Sequence, residues 1–108
     1  MPQTALAVND FAPKSITAKY ANFAATTAGT QIKTGSGSFL GININVVGTG
    51  GNNVFTLYDG TSTSGPVIGA FSTTALNQLR PNGLAFTTGL FAVLTATTNS
   101  GNVTVFYA

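Results

Sequence analysis

Within the segment SFLGININVV (residues 38–47), large apolar residues alternate strictly with Gly or Asn from residue 40 to residue 46. One set of alternate positions is apolar and comprises Leu40, Ile42, Ile44 and Val46. The other set comprises Gly41, Asn43 and Asn45. Because successive side chains of a strand point to opposite faces of its sheet, this period of two predicts a half-buried β-strand.

Further segments show the same strand pattern. In NVFTLYD, Phe55 and Leu57 oppose Val54, Thr56 and Tyr58, and in NVTVFYA one face carries Val103, Val105 and Tyr107. Strands are also predicted for VIGAF (67–71), for LFAVLTA (90–96) and for a short segment at 30–34. The longer segment LAFTTGLFAVLTA (84–96) predicts a strand, a turn and a second strand. Helix-forming windows rich in Leu, Glu, Lys and Arg are missing from the sequence.

Turn-forming residues separate these segments. The segments 49–53 (TGGNN) and 97–102 (TTNSGN) predict tight hairpins, and 80–83 (RPNG) predicts a turn in which Asn-Gly can adopt positive φ. The segment 35–38 (GSGS) is a further break. Several short strands separated by turns predict an all-β protein, an antiparallel β-sandwich of the jelly-roll or immunoglobulin-like type.

The first 28 residues do not continue this pattern. They hold two prolines, half of the charged residues and three aromatic residues without a clear period, Phe11, Tyr20 and Phe23. We expect residues 1–28 to form either an extended N-terminal arm or an edge segment, and residues 29–108 to form the sandwich domain. The three aromatic residues are predicted as subunit-interface residues, with packing in the core as the alternative, whereas Phe39 and Phe86 are predicted core residues.

The composition argues against an enzyme. The 108 residues include no His, Cys or Glu, and the only carboxylate side chains are those of Asp10 and Asp59. Catalysis near neutral pH usually needs such groups as proton donors, acceptors or activated nucleophiles. Charged residues make up 6% of the chain against roughly 25% in a typical globular protein. So few charges protect a monomer poorly against association, and they favour a chain that lives in an assembly.

Binding of cofactors, metals, nucleic acid or membranes is not predicted. The Gly-rich segments precede no helix pattern, and four dispersed Lys and Arg residues form no basic patch. No apolar run reaches the length of about 18 residues that a spanning helix needs, and residues 1–14 lack a signal-peptide pattern. The loop 59–66 (DGTSTSGP) does not match a calcium loop, so we expect Asp59 to cap this turn and Gly60 and Gly65 to adopt positive φ.

From about Gly35 to Tyr107 the chain resembles small virion structural domains of tailed bacteriophages. The resemblance is carried by FLGININV, FTLYDGTSTSGPVI, PNGLAFTTGLFAVLTA and NVTVFYA, in that order. It implies a β-sandwich that acts as a capsid decoration (cement) protein on the outer capsid surface of the virion. Its implied partners are the major capsid protein, whose neighbouring subunits it would bridge, and further copies of itself, with a homotrimer favoured.

An alternative function is that of a tail- or fibre-associated virion domain that binds a host-surface carbohydrate or protein. Aromatic platforms in loops would favour sugar binding, but the predicted loops are rich in Gly, Thr, Ser and Asn and contain almost no aromatic residues. The sequence therefore favours the cement function over the sugar-binding one.

Overall fold

The computed structural model describes residues 17–76, 78–81 and 83–108, and this part of the chain contains strands and no helix. The strands are β1 (Lys19–Phe23), β2 (Thr27–Thr34), β3 (Gly37–Val46), β4 (Val54–Asp59), β5 (Val67–Ser72), β6 (Gln78–Leu79), β7 (Leu84–Phe86), β8 (Gly89–Thr95) and β9 (Asn102–Tyr107). The predicted strands are therefore confirmed, β1 corresponds to the edge-segment alternative for residues 1–28, and β6 was not predicted. The predicted strand–turn–strand in 84–96 is confirmed as β7 and β8.

The strands form two antiparallel sheets. Sheet A has the order β1-β9-β3, with β6 and β7 both paired along the remaining edge of β3, and sheet B has the order β2-β8-β4-β5. All-β architecture with two packed sheets confirms the predicted β-sandwich.

The pairings distinguish between the two predicted types of sandwich. β1 pairs with β9, β2 with β8, β3 with β6 and β7, and β4 with β5, so the partners are nested like the two arms of one long hairpin. This hairpin is rolled up so that β9 also pairs with β3 and β8 with β4. That is a jelly roll. An immunoglobulin domain would instead place its first strand beside its second, and here those strands lie in different sheets.

The core lies between the two sheets. Its buried apolar residues are Phe23, Phe39, Ile42, Ile44, Phe55, Leu57, Phe86, Leu90, Ala92, Leu94, Val103 and Val105. The predicted grouping of Phe55 with Leu57 and of Val103 with Val105 is confirmed, and so are the predicted core positions of Phe39 and Phe86. The rings of Phe23 and Phe55 lie 5.2 Å apart and join sheet A to sheet B.

The predicted alternation of β3 is wrong at both of its ends. Phe39 and Gly41 oppose the consecutive residues Tyr107 and Phe106, so Leu40 is an extra residue, as in a β-bulge. The bulge turns Phe39 into the core and leaves Leu40 half-buried. A second irregularity between Ile44 and Val46 leaves Val46 56% exposed. The pattern of a single strand does not reveal how many residues its partner places opposite it.

The predicted hairpins at 49–53 and 97–102 are also wrong. The first segment leads from β3 in sheet A to β4 in sheet B, and the second leads from β8 in sheet B back to β9 in sheet A. The two crossovers are bonded to each other, because Thr49 and Asn99 exchange backbone hydrogen bonds of 2.9 and 3.1 Å. The buried Asn53 side chain adds a bond of 2.8 Å from its Nδ2 to the Asn99 carbonyl.

The N-terminal segment enters the sandwich before residue 29. Residues 19–23 form edge strand β1, whose register on β9 runs from Lys19 opposite Tyr107 to Phe23 opposite Val103. Of the two alternatives for the segment 1–28, the edge strand therefore holds for residues 19–23. The predicted arm spans residues 1–28, and residues 1–16 of it lie outside the described residues.

Candidate functional site

The carboxylate of Asp59, at the start of the loop 59–66, serves a structural purpose. Asp59 ends β4, and its oxygens accept hydrogen bonds from the backbone N–H groups of Thr87 (3.0 Å), Thr88 (2.8 Å) and Gly89 (3.3 Å). Asp59 does cap a turn, but the capped turn joins β7 to β8 and is not its own. The bonds thus fix the corner at which the chain passes from sheet A to sheet B.

The glycines of this loop allow its two backbone segments to lie close together. Neither Gly60 nor Gly65 has positive φ, so that prediction is wrong, whereas Gly83 has a φ of 78° as predicted for its turn. A Cβ on Gly65 would overlap the Asp59 carbonyl, and one on Gly60 would lie 3.2 Å from the Gly65 Cα. The hairpin between β4 and β5 therefore closes more tightly than side chains allow.

The hydrogen bonds to Asp59 predict acid sensitivity. The backbone N–H groups of Thr87 and Thr88 hold the pKa of Asp59 below its ordinary value of 3.8. A folded-state pKa below the unfolded one contributes stability that is complete above the unfolded pKa and is lost as the pH falls through the folded pKa. We expect Asp59→Asn to lower the melting temperature at pH 7, and we expect the difference from wild type to shrink below about pH 4.

Thermal unfolding followed by circular dichroism between pH 2 and pH 7 measures this difference. Thr87→Val is the matched control, because it removes only the 3.3 Å side-chain bond and keeps the backbone donors. A difference between Asp59→Asn and wild type that stays constant over this pH range would contradict the assignment.

The three predicted interface residues have different surroundings. Phe23 is 7% exposed and packs in the core, as the alternative to the interface assignment predicted. The reason is its register opposite Val103, which gives it the inward direction of that buried residue. Tyr20 is 71% exposed on edge strand β1. Phe11 lies outside the described residues.

The outer face of sheet B is apolar, and we call it the apolar face. Phe55, Leu57, Leu90, Ala92 and Leu94 point inward, so the alternate residues of the same strands point outward. With their cross-strand partners on β5, these outward residues are Val54, Thr56, Tyr58, Val67, Ala70, Ser72, Phe91, Val93 and Thr95. Tyr58 and Phe91 form an aromatic pair with ring centroids 6.3 Å apart. No charged residue is among them.

Strand β5 continues the apolar face to the edge of sheet B, where no described strand pairs with it. It contains neither a charged residue nor a proline, and Val67 is 59% exposed. The other edges carry Lys19 on β1, Lys33 on β2, and Arg80 with Pro81 between β6 and β7. Charges and proline are the usual protection of sheet edges against further pairing. Apart from Pro66, which directly precedes it, β5 lacks this protection, and it is the described edge most open to another strand.

The outer face of sheet A is polar, and we call it the amide face. Its side chains are Asn22 on β1, Asn102 and Thr104 on β9, and Asn43 and Asn45 on β3. Asn45 Nδ2 donates to Asn102 Oδ1 (2.8 Å) and Thr104 Oγ1 (2.7 Å), and Asn22 Nδ2 donates to the same two atoms at 2.7 and 3.0 Å. Asn43 donates to Asn45. The amides of three strands therefore form one hydrogen-bonded network.

An aromatic row lies one step along the strands from this network. Tyr20 is directly opposite Phe106, which is in turn opposite Gly41 on β3. The Arg80 guanidinium lies 4.4 Å from the centre of the Phe106 ring. It reaches the ring across Gly41, where a Cβ would come within 2.7 Å of Arg80 Nη1. Gly41 thus leaves room for an arginine stacked on an aromatic ring.

A groove borders the amide face on the side of β6. It has a volume of about 520 Å³ and is lined by Asn43, Ile44, Asn45, Leu76 and Gln78. Its polar residues extend the amide face, because Asn43 lies opposite Thr104 on β9 and opposite Gln78 on β6. Network, aromatic row and groove together form a continuous exterior surface of sheet A.

Sequence reasoning missed most of this surface. The alternation of β3 does show Asn43 and Asn45 on one face, but the partners Asn22 and Thr104 are 82 residues apart in the chain. Arg80 was predicted only as part of a turn, and no local signal places its side chain on Phe106. Aromatic residues for sugar binding were expected in loops, whereas Tyr20 and Phe106 lie on strands.

Comparison of the chain with protein-family models and with curated proteins finds no match. The residues at 17–76, 78–81 and 83–108 include no cluster of three or more His, Cys, Asp or Glu side chains suited to a metal ion. In the same ranges, no helix has the length and apolar character needed to cross a membrane.

Proposed function

We propose that the chain is a virion structural protein that decorates and cements the capsid of a tailed bacteriophage by bridging neighbouring capsid subunits. The observation that carries the proposal is the apolar face together with the open edge of β5. A face of nine uncharged residues, six of them aliphatic or aromatic, beside an edge strand without charges suits permanent contact with another protein. The jelly roll supports the proposal by analogy, since viral capsid proteins use this fold for assembly.

The apolar face docks on the capsid, and β5 supplies backbone pairing at its rim. Each subunit needs only modest contact area, because a homo-oligomer attached at several points gains avidity from every further contact. A trimer of the 10.9 kDa chain is the favoured oligomer. The amide face of each subunit, on the opposite side of the sandwich, remains exposed in this arrangement.

Particle binding tests the proposal. Antibodies against the purified chain are used to follow it through a density gradient of particles from the culture that produces it. We expect the chain to co-sediment with capsids, and we expect electron cryomicroscopy to show added density on the outer shell between capsid subunits. A chain that stays at the top of the gradient would overturn the proposed virion function. Added density at the tail alone would contradict the cement function and favour the tail- or fibre-associated alternative.

A matched pair of variants tests the docking face. Thr56→Lys places a charge in the middle of the apolar face, and Thr61→Lys places the same charge in the exposed loop that follows β4. Burying an unpaired charge is costly, so we expect Thr56→Lys to weaken binding to particles that lack the chain by at least about 100-fold, and Thr61→Lys to change it little. Equal binding by both variants would exclude the apolar face as the docking surface.

The N-terminal arm is tested in the same assay. Deletion of residues 1–16 keeps every described strand, whereas deletion of residues 1–28 would also remove β1 and the core residue Phe23. We expect the shorter deletion to abolish particle binding while the sandwich stays folded. Binding that survives this deletion would assign attachment to the sandwich alone and remove Phe11 as a contact.

A further inference from the structure

We propose that the exterior surface of sheet A binds a polysaccharide that carries uronic acid carboxylates. The surface consists of the amide face, the row Tyr20–Phe106–Arg80 and the adjoining groove. This inference does not rest on the capsid function, because it concerns the opposite side of the sandwich and is tested on the purified chain.

The charge of the ligand follows from Arg80. Its guanidinium carbon lies 4.4 Å from the centre of the Phe106 ring, so the ring holds the cation in place without using its N–H donors in a salt bridge. No salt bridge to Arg80 is present among the described residues, whose one carboxylate side chain, that of Asp59, is engaged by Thr87, Thr88 and Gly89. A guanidinium held in this way is suited to bind a carboxylate through two parallel hydrogen bonds.

The sugar character of the ligand follows from the groups beside Arg80. Tyr20 is exposed next to Phe106 and offers a flat ring with a polar end, which suits the C–H face and the hydroxyls of a sugar. The amide face offers donors and acceptors together, as sugar hydroxyls require. Its side chains already hold one another in place, so little conformational entropy is lost when a ligand binds.

Other classes of ligand fit this surface less well. Nucleic acid binding depends on neutralising several phosphates, and Arg80 is the single cation in the aromatic row. A protein interface has an apolar centre, whereas the centre here is the hydrogen-bonded network of Asn22, Asn45, Asn102 and Thr104. An open surface that spans three adjacent strands and ends in a groove of about 520 Å³ suits an extended chain of sugars.

Binding of the purified chain to three polymers tests the proposal. Alginate carries uronate carboxylates on sugar rings, dextran carries sugar rings without charge, and polyacrylate carries carboxylates without sugar rings. We expect alginate to bind at least tenfold more tightly than either of the others in isothermal titration calorimetry at 150 mM salt. Equal binding of alginate and polyacrylate would overturn the proposal, and so would equal binding of alginate and dextran or the absence of alginate binding.

Variants then locate the site. Arg80→Gln and Lys33→Gln remove the same charge, but Lys33 lies on β2 in sheet B. We expect Arg80→Gln to weaken alginate binding at least tenfold, Lys33→Gln to weaken it less than twofold, and Tyr20→Ala to weaken it at least fivefold. Circular dichroism spectra verify that each variant is folded. If Arg80→Gln binds alginate as tightly as Lys33→Gln does, binding reflects net charge and the proposed site is wrong.

Discussion

Phe55→Ala is expected to lower the free energy of unfolding by about 3–5 kcal/mol, as truncation of a fully buried phenylalanine does elsewhere. Phe55 is 0% exposed and lies in the centre of sheet B, with Leu94 opposite it on β8 and Phe71 opposite it on β5. Its ring also contacts Phe23 across the sandwich. Removal of the ring therefore loses contacts within one sheet and between both.

Chemical denaturation with linear extrapolation measures this loss. Small domains have a total stability of about 5–15 kcal/mol, so the variant stands close to unfolding. Phe55→Leu fills more of the site and is expected to retain a folded state if the alanine variant does not. Val67→Ala, at an exposed position of the neighbouring strand, is the control and should cost less than about 1 kcal/mol. A loss below about 1 kcal/mol for Phe55→Ala would contradict the packing described for the core.

Gly101→Ala is expected to lower the free energy of unfolding by about 2–5 kcal/mol, because two penalties add at this position. Gly101 has a φ of 71°, which an alanine adopts only at a cost. A Cβ there would also overlap the Val46 carbonyl and lie 2.7 Å from the Gly48 nitrogen. Both neighbours are backbone atoms at the end of β3 and just after it, so they cannot move aside as a side chain could.

Two further glycines separate the penalties. Gly35 has a φ of 85° but no atom within 4 Å of the position that a Cβ would take, so Gly35→Ala isolates the backbone term of about 1–2 kcal/mol. Gly51 has open space and no positive φ, so Gly51→Ala should be neutral or slightly stabilising. In denaturation experiments we expect the loss of unfolding free energy to be largest for Gly101→Ala, smaller for Gly35→Ala and smallest for Gly51→Ala. Equal losses for Gly101→Ala and Gly35→Ala would show that the crossovers are not packed as closely as described.

The two outer faces give the sandwich two chemically different sides. The apolar face with strand β5 suits contact with protein, and the amide face with its stacked arginine suits a charged polysaccharide. The two surfaces lie on opposite sides of a sandwich whose sheets are about 10 Å apart. A ligand on one side therefore does not block the other side. Thr56→Lys and Arg80→Gln therefore test independent properties of the same molecule, and each variant serves as a folded control for the other.

Much of the β-sandwich could be read from residue patterns. The alternation in β4 and β9 correctly grouped Phe55 with Leu57 and Val103 with Val105, and the structure shows that both groups are buried. In β3 the same reasoning failed at Leu40, because the bulge depends on the residues that β9 places opposite. Turn chemistry likewise located the breaks at 49–53 and 97–102 but could not show that they cross between sheets, since a Gly-Asn turn looks alike in a hairpin and in a crossover.

By itself the sequence determined that this protein is made of short antiparallel strands with few charges, because side-chain period and turn residues act within one segment. Only the tertiary structure decided the nested order of the jelly roll, the burial of Phe23, the partners of Asp59 and the stacking of Arg80 on Phe106. These features join residues that are 26 or more positions apart. Their energies depend on which strands become neighbours, and no local pattern carries that information.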